Sequence, residues 1–508
     1  MTTAYTPEHP TGLPVGDGWV AVDETAAVTF PFTGEVVAEA PIGTSDIAAQ
    51  ALSYAAAVRE RMGSLPSHVR RSALVETHRL LAERRSDMEQ LLVLETGKPL
   101  VDCRVEVDRT LLTLVTAAEE VARLHGETVP LDLLPSGEGL IGFWVRKPVG
   151  VVVGIAGFNY PLLLAVHKLA PALAAGCPVV VKPAPQTPLA TLWLVHVLRE
   201  ALAAAGGPRA GVQLVTGGVE VGVALTTDPR VAAVSFTGSA AVGHQIARDA
   251  APTKVLLELG SNAALVVAAD ADLDAAADAV VRGGYYASGQ ACISVQRVLV
   301  VGSVREPFLD ALSARMDQVV VGDPRDEGTR VSALIDPRST ERVSQWVRAA
   351  CDAGGTLVHG GGIRDGILEP TVLLDVPDGQ LAWDEEIFGP VVVVREVPDL
   401  DAAIDEVNRS RYGLHASVFT EGLGSAFAAI DRIEAGGVVV NEVPGFRSDV
   451  MPYGGVKDSG VGREGPRFAI EELTVTRMAI IRPSAVRTTA QDTTDPAALP
   501  EEQGSASA

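Results

Sequence analysis

Short runs of branched apolar residues recur along the chain, separated by longer stretches rich in alanine and leucine. Residues 151–153, 178–181, 212–215 and 232–236 are apolar nearly throughout, without the in–out alternation of a half-solvated strand. The stretches between them, near 162–174, 188–205 and 219–226, have helix-forming composition. Apolar strands with a helix between each pair predict a parallel sheet covered on both faces. A second series over about 260–440, with strands at 297–301 and 390–394, predicts a further α/β domain. Residues 130–150 (PLDLLPSGEGLIGFWVRKPVG) place two extended arms about a Ser-Gly-Glu-Gly turn, which predicts a projecting hairpin. The ends, residues 1–18 and 484–508, lack periodic apolar positions and read as tails that add no core element.

Composition narrows this picture. A chain of 508 residues is too long for one core, so each α/β series can fold around its own. A net charge of −23 repels duplex nucleic acid and anionic membrane, leaving small molecules and protein as partners. Four cysteines, Cys103, Cys177, Cys292 and Cys351, share no ligand spacing, which argues against a disulfide framework and against a metal site. No uninterrupted run of about 18 apolar residues is present, and MTTAYTPEHPTG has neither the basic start nor the apolar core of a signal peptide. The expected location is cytoplasmic.

Three strand-to-helix edges carry small or polar residues: Gly150 to Pro161, Val181-Lys182-Pro183, and Ser235-Phe236-Thr237-Gly238-Ser239. Open α/β sheets bind ligands at this edge, and a helix opened by Gly238-Ser239 offers free N–H groups to a pyrophosphate. Taken singly, each edge is also what plain turn chemistry looks like.

Together with Glu95-Thr-Gly-Lys-Pro99, Gly157-Phe-Asn159-Tyr-Pro161, Lys182-Pro-Ala-Pro185, Leu257-Glu258-Leu-Gly-Ser261, Gly289-Gln-Ala-Cys292, Glu386-Ile-Phe388-Gly-Pro390 and Pro452-Tyr-Gly-Gly-Val-Lys457-Asp-Ser-Gly460, the chain resembles the aldehyde dehydrogenase superfamily. These pieces lie in family order over about 20–482. The resemblance is strongest to the branch with lactaldehyde, phosphonoacetaldehyde and non-phosphorylating glyceraldehyde-3-phosphate dehydrogenases. It implies a Rossmann-like parallel-sheet domain for NAD or NADP (19–129 and 149–256), an α/β catalytic domain (257–446), and a small β element (130–148 and 447–483) that joins subunits into a homodimer or homotetramer. A strand over about 472–481 belongs to that last element.

The resemblance also assigns roles. Oxidising an aldehyde by hydride transfer needs a tetrahedral alkoxide first, and a thiolate provides it; Cys292 is implied as that nucleophile. Asn159 is implied as oxyanion donor and Glu258 as the base that activates water against the thioester. Cofactor contacts are implied at Ile155, Phe158, Lys182, Pro185, Gly218, Phe236, Ser239, Glu386 and Phe388. Pro185 stands where the family frequently has a glutamate on the adenosine ribose, so NADP is open alongside NAD. Each residue has a plainer reading too: an apolar filler for Cys292, a turn residue for Asn159, a surface carboxylate for Glu258.

Arg109, Tyr160, His167, Ile293 and Arg447, with Ala291, count into the substrate tunnel. Arginines there suit a short aldehyde bearing phosphonate, phosphate, sulfonate or carboxylate, or a hydroxylated one. Structural readings stay open: Arg109 paired on the helix surface with Glu106 or nearby acids, Arg447 on loop carbonyls, His167 packed or hydrogen-bonded in a core. Two alternative functions remain, a coenzyme A-acylating dehydrogenase and a non-catalytic dinucleotide-binding protein.

Overall fold

The structure is a computed structural model and describes residues 9–483. By contacts the described residues form two units, 9–125 with 146–475 and, separately, 126–145 with 476–483. Residues 447–475 thus fall in the larger unit.

The first α/β series builds a six-stranded sheet. Its order is Gly460–Val461, Lys254–Glu258, Val231–Thr237, Val151–Ile155, Val179–Lys182, Val212–Leu214, all parallel except the Gly460–Val461 edge. The helices Pro161–Ala175, Leu189–Ala204 and Val219–Thr226 fall where the composition placed them. Every residue of Pro161–Ala175 is buried, which explains its apolar surface on all sides. From Val151–Ile155 the chain winds first to one side of the sheet and then returns to the other, making a topological switch point. At that point Ile155 pairs in register with Lys182 on one side and Phe236 on the other, and Thr237 pairs with Glu258.

The second series builds a seven-stranded sheet, ordered Thr356–His359, Thr371–Leu374, Val391–Val397, Arg297–Val301, Ala264–Val267, His415–Phe419, Gly437–Val440, with only the first strand antiparallel. Four helices unforeseen in the apolar pattern, Ser45–Gly63, Ser67–Glu83, Arg85–Thr96 and Leu100–Glu120, precede both series.

Two expectations need correction. The hairpin's first strand is Glu127–Val129, paired antiparallel with Ile141–Pro148, and residues 130–140 form a loop with a tight turn at Pro135–Gly137. Pro130 and Pro135 bring no N–H to a ladder, so the apolar stretch between them cannot continue the strand. The third strand of this small sheet, Thr474–Ile481, lies beside Ile141–Pro148 as the sequence placed it. At the other end, residues 9–18 are no tail: Leu13 and Val15 are buried, and the buried Arg199 guanidinium donates to the carbonyls of Pro14, Gly16 and Gly18. Residues 1–8 and 484–508, the remainder of the expected tails, lie outside the described residues. Among the described residues no helix is long and apolar enough to cross a membrane, and no group of three or more His, Cys, Asp or Glu is placed to hold a metal ion.

Candidate active site

The turn that follows Val151–Ile155 is held from outside itself. Lys98, in the loop after Arg85–Thr96, donates to the Asn159 carbonyl at 2.8 Å and forms a buried ion pair with Glu106. Glu106 in turn accepts from the backbone N–H groups of Leu162 (2.9 Å) and Leu163 (3.1 Å), capping the helix opened by Pro161. A carboxylate at a helix N-terminus is stabilised by the free N–H groups and the helix dipole. Glu95 caps the next helix, accepting from Leu189 at 2.8 Å and Ala190 at 3.0 Å, and there burial outweighs the two bonds and pushes its pKa up to about 8. The Asn159 side chain, fixed by this framework, donates to the Gln290 carbonyl at 2.8 Å, two residues before Cys292.

Cys292 follows a strained turn. Ala287, Ser288 and Gly289 occupy the left-handed region in succession (φ 48°, 55° and 73°). Non-glycine residues there cost about 1–3 kcal/mol each, and persist only when the surroundings hold them. The surroundings do: Asp102 accepts from Ala287 N–H at 2.9 Å, Ser288 Oγ from Ser332 N–H at 2.9 Å, and Gln290 Oε1 from Ile335 N–H at 3.0 Å. Beyond the turn, Cys292 Sγ lies 3.4 Å from the Tyr453 hydroxyl and packs with Ile293, Leu414 and Met451. Burial pushes the thiol up to about 12, and the Tyr453 hydrogen bond opposes that rise.

Glu258 ends the strand Lys254–Glu258 and is buried, with Oε2 lacking any hydrogen-bond partner. Burial, reinforced by the nearby Glu464 carboxylate, pushes its pKa well above the ordinary 4.5. Beside it lies a dense ionic cluster. Glu464 accepts from Lys168 and Arg447 at 3.1 Å and faces His167 Nδ1 at 3.1 Å. Asp449 takes a bidentate pair of bonds from Arg109 (3.0 and 2.9 Å) and faces His167 Nε2 at 3.1 Å. Against the cost of burial, Lys168 and His167 hold Glu464 well below the usual carboxylate range, while His167 and Arg109 do so for Asp449. Glu258 is therefore the carboxyl of this group that burial pushes up, beside two that their cationic partners hold down.

One cavity of about 620 Å³ gathers twelve of the expected residues: Arg109, Phe158, Asn159, Tyr160, His167, Ser239, Glu258, Cys292, Ile293, Glu386, Phe388 and Arg447, with Ala291 beside them. Ile155, Lys182, Pro185, Gly218 and Phe236 do not line it; they sit along or just beyond the carboxyl edge of the six-stranded sheet. The Phe236 ring is buried beneath Gly238, whose added Cβ would stand 2.5 Å from it.

This edge suits a dinucleotide. The helices Val219–Thr226 and Ala240–Asp249 both start without a side-chain cap, leaving N–H groups for phosphate. Lys182, pushed down to about 8 by burial, has its ammonium bound only to the Pro183 carbonyl at 3.3 Å among the described residues. At the cavity end, Glu386 accepts from Ser261 N–H at 2.9 Å, and burial lifts its pKa to about 7. Phe158 and Phe388 meet edge to face, their centroids 5.6 Å apart.

Sequence reasoning gave no role to Lys98, Lys168, Asp449, Tyr453 or Glu464, and named Glu106 only as a partner for Arg109. Lys98 and Tyr453 stand inside matched motifs, so a signal was present. Asp449 and Glu464 have none, because apart from Arg447 their partners are remote in the chain: Arg109 and His167 lie 340 and 282 residues from Asp449, and Lys168 lies 296 from Glu464. Arg109 does form an ion pair, with Asp449 in place of Glu106, whereas Arg447 grips the Glu464 carboxylate rather than loop carbonyls.

With this geometry the comparison with known proteins is direct. The model of the aldehyde dehydrogenase family matches residues 19–479, and the chain belongs to that family. It is 39% identical over 481 residues to a 3-sulfolactaldehyde dehydrogenase of Priestia megaterium, covering 94% of this chain and 99% of the relative. Among solved structures it is similar to aldehyde dehydrogenase 21 of Physcomitrella patens in complex with the reaction product succinate. There the TM-score is 0.89 at 35% identity, covering 94% of this chain and 98% of the other. It is also similar to the glyceraldehyde-3-phosphate dehydrogenase of Methanocaldococcus jannaschii complexed with NADP, with TM-score 0.87, 34% identity, and coverage of 91% and 100%.

Proposed function

We propose that this aldehyde dehydrogenase oxidises a short aldehyde carrying a negative or hydroxyl group to the free carboxylic acid, by covalent catalysis on Cys292. The observation that carries this reading is the convergence of Cys292, Asn159 and Glu258 on one cavity. The Cys292 sulfur, as thiolate, bonds to the aldehyde carbon while the carbonyl pair moves onto oxygen. Asn159, its amide fixed beside the nucleophile segment, and the Cys292 N–H are the donors for that oxyanion. NAD or NADP, when bound, would supply the acceptor for the hydride lost from this carbon, whose oxyanion pair then re-forms the C=O of a thioester. Lys182 and the helix starts at Gly218 and Ser239 would hold its ribose and phosphates, and Glu386 with Phe388 its nicotinamide end. Glu258 then takes a proton from water, whose oxygen adds to the thioester carbon; the C–S bond breaks and its pair returns to sulfur. A base in this position favours hydrolysis over transfer to coenzyme A.

The charge balance supports an anionic substrate. In the cluster by the cavity three cationic groups, Arg109, Arg447 and Lys168, face two carboxylates held below their usual range, Asp449 and Glu464, while burial pushes the Glu258 carboxyl up toward its neutral form. The three relatives named above take or hold a sulfonate, a carboxylate and a phosphate. The exposed apolar residues of Thr474–Ile481, among them Val475 and Ile480, support a homodimer or homotetramer, which sedimentation velocity would register.

Reduction of NAD or NADP with matched sulfonate, phosphate, carboxylate and uncharged aldehydes tests the reading, without added coenzyme A. Turnover is expected with the charged members and none in Cys292→Ala. Turnover surviving in Cys292→Ala would sink the nucleophile assignment, and equal kcat/KM for charged and uncharged aldehydes would sink the substrate class.

A further inference from the structure

We infer that Tyr453 is a catalytic residue, its phenol O–H donating to the Cys292 thiolate and thereby raising the fraction of nucleophile present; this rests on Cys292 being the nucleophile. The hydroxyl lies 3.4 Å from Cys292 Sγ, within reach of a hydrogen bond to sulfur, and among the described residues it has no other hydrogen-bond partner. A buried phenol without a partner is costly, so this contact is what makes a tyrosine tolerable at a site where phenylalanine would fill the same space.

The side chain is also held in place. Its backbone is tied to Glu464 by reciprocal bonds, N–H to carbonyl at 3.2 Å and back at 2.7 Å. The Arg447 guanidinium stands 3.7 Å over one ring face, and the His415 ring meets Tyr453 at 5.0 Å in an edge arrangement. A cation over the ring draws on its electrons and makes the O–H a stronger donor toward an anion. Arg447 cannot drift from this post, because Glu464 binds it at 3.1 Å. Burial first, and then the charge of Cys292, push the Tyr453 phenol well above its ordinary 10, so it remains a donor while the thiol ionises. The other groups that face the sulfur are unsuited to the task. Glu258 and Glu386, once ionised, disfavour a thiolate, Arg447 acts through charge without a hydrogen bond to the sulfur, and among the described residues the Tyr286 phenol makes no hydrogen bond to it.

Alkylation of Cys292 by iodoacetamide, followed by peptide mass over pH 6–10, reads the sulfur with neither aldehyde nor dinucleotide present. Failure of this inference is thus separable from failure of the proposed function. A hydrogen bond to a charged group shifts its pKa by about 1 to 2 units. A less basic thiolate is also less nucleophilic, with a Brønsted slope of about 0.4–0.5, so the net gain below the pKa is roughly threefold to tenfold. Tyr453→Phe, which keeps the ring, is expected to react that much more slowly with an unchanged melting temperature. Replacement of Tyr453 by 3-fluorotyrosine, a more acidic phenol of nearly the same shape, is expected to react faster than wild type. Equal rates in wild type and Tyr453→Phe would overturn the inference. So would a loss in Tyr453→Phe with no gain from 3-fluorotyrosine, which would reduce the hydroxyl to a packing element.

Discussion

Glu258 is the proposed base, yet its surroundings favour its protonated form. Burial and Glu464 raise its pKa, so the carboxylate form that can accept a proton from water is populated only as pH rises. Thioester hydrolysis is therefore expected to climb tenfold per pH unit above 4.5, until Glu258 ionises, and then to level. Glu258→Gln keeps the shape and removes the base. It is expected to give a burst of reduced cofactor equal to the enzyme present, followed by turnover slower by about 10²–10⁴-fold. Rapid-mixing absorbance would follow both phases, and full steady-state turnover in the variant would reassign the base. The sequence singled out this glutamate, but its raised pKa was invisible there. That property comes from a neighbour 206 positions on in the chain, Glu464, and from the loss of water around both.

Among the elements, the turn from Ala287 to Gly289 shows how sequence and packing share one task. Gly289 has φ 73°, and an added Cβ would stand 2.1 Å from the Gly389 carbonyl oxygen. Gly289→Ala thus combines an unfavourable backbone angle with a backbone clash that no side-chain movement relieves. The variant is expected to lose several kcal/mol of stability by denaturant unfolding, and to lose Cys292 reactivity with it. A variant with unchanged stability and activity would mean the turn relaxes freely. The glycine was legible as part of Gly-Gln-Ala-Cys, whereas Asp102, Ser332 and Ile335, which hold the turn, were not. In the same way the apolar pattern placed the helix Pro161–Ala175 closely, but not the Lys98–Glu106 pair that sets its first turn.

Across the whole molecule, several buried carboxyls are pushed up, first by burial: Asp102 to about 6, Glu386 to about 7 and Glu95 to about 8. Their folded pKa values exceed the unfolded ones, near 4, so between these limits the folded chain binds more protons than the unfolded chain. Stability from these groups is complete below about pH 4 and is lost as pH rises through 6 to 8. Asp449 and Glu464 act in the opposite sense, adding stability above pH 4 that disappears only in acid. Thermal unfolding is accordingly expected to show a declining midpoint from pH 6 to pH 9, steeper in wild type than in Glu95→Gln. A flat profile would show that these sites are hydrated in solution.

By itself the sequence determined the α/β class, the positions of most strands and helices of the first series, and the family, because apolar runs and short motifs are local properties of the chain. It also named Cys292, Asn159 and Glu258, since each stands in such a motif. Only the tertiary structure decided which charges meet. Arg109 and Asp449, 340 residues apart, form one pair, and Tyr453 reaches a sulfur 161 positions before it. The reason is that burial and charge act through space, and the switch point of the first sheet, with the late loop near Arg447, brings distant residues into one cavity that no local pattern describes.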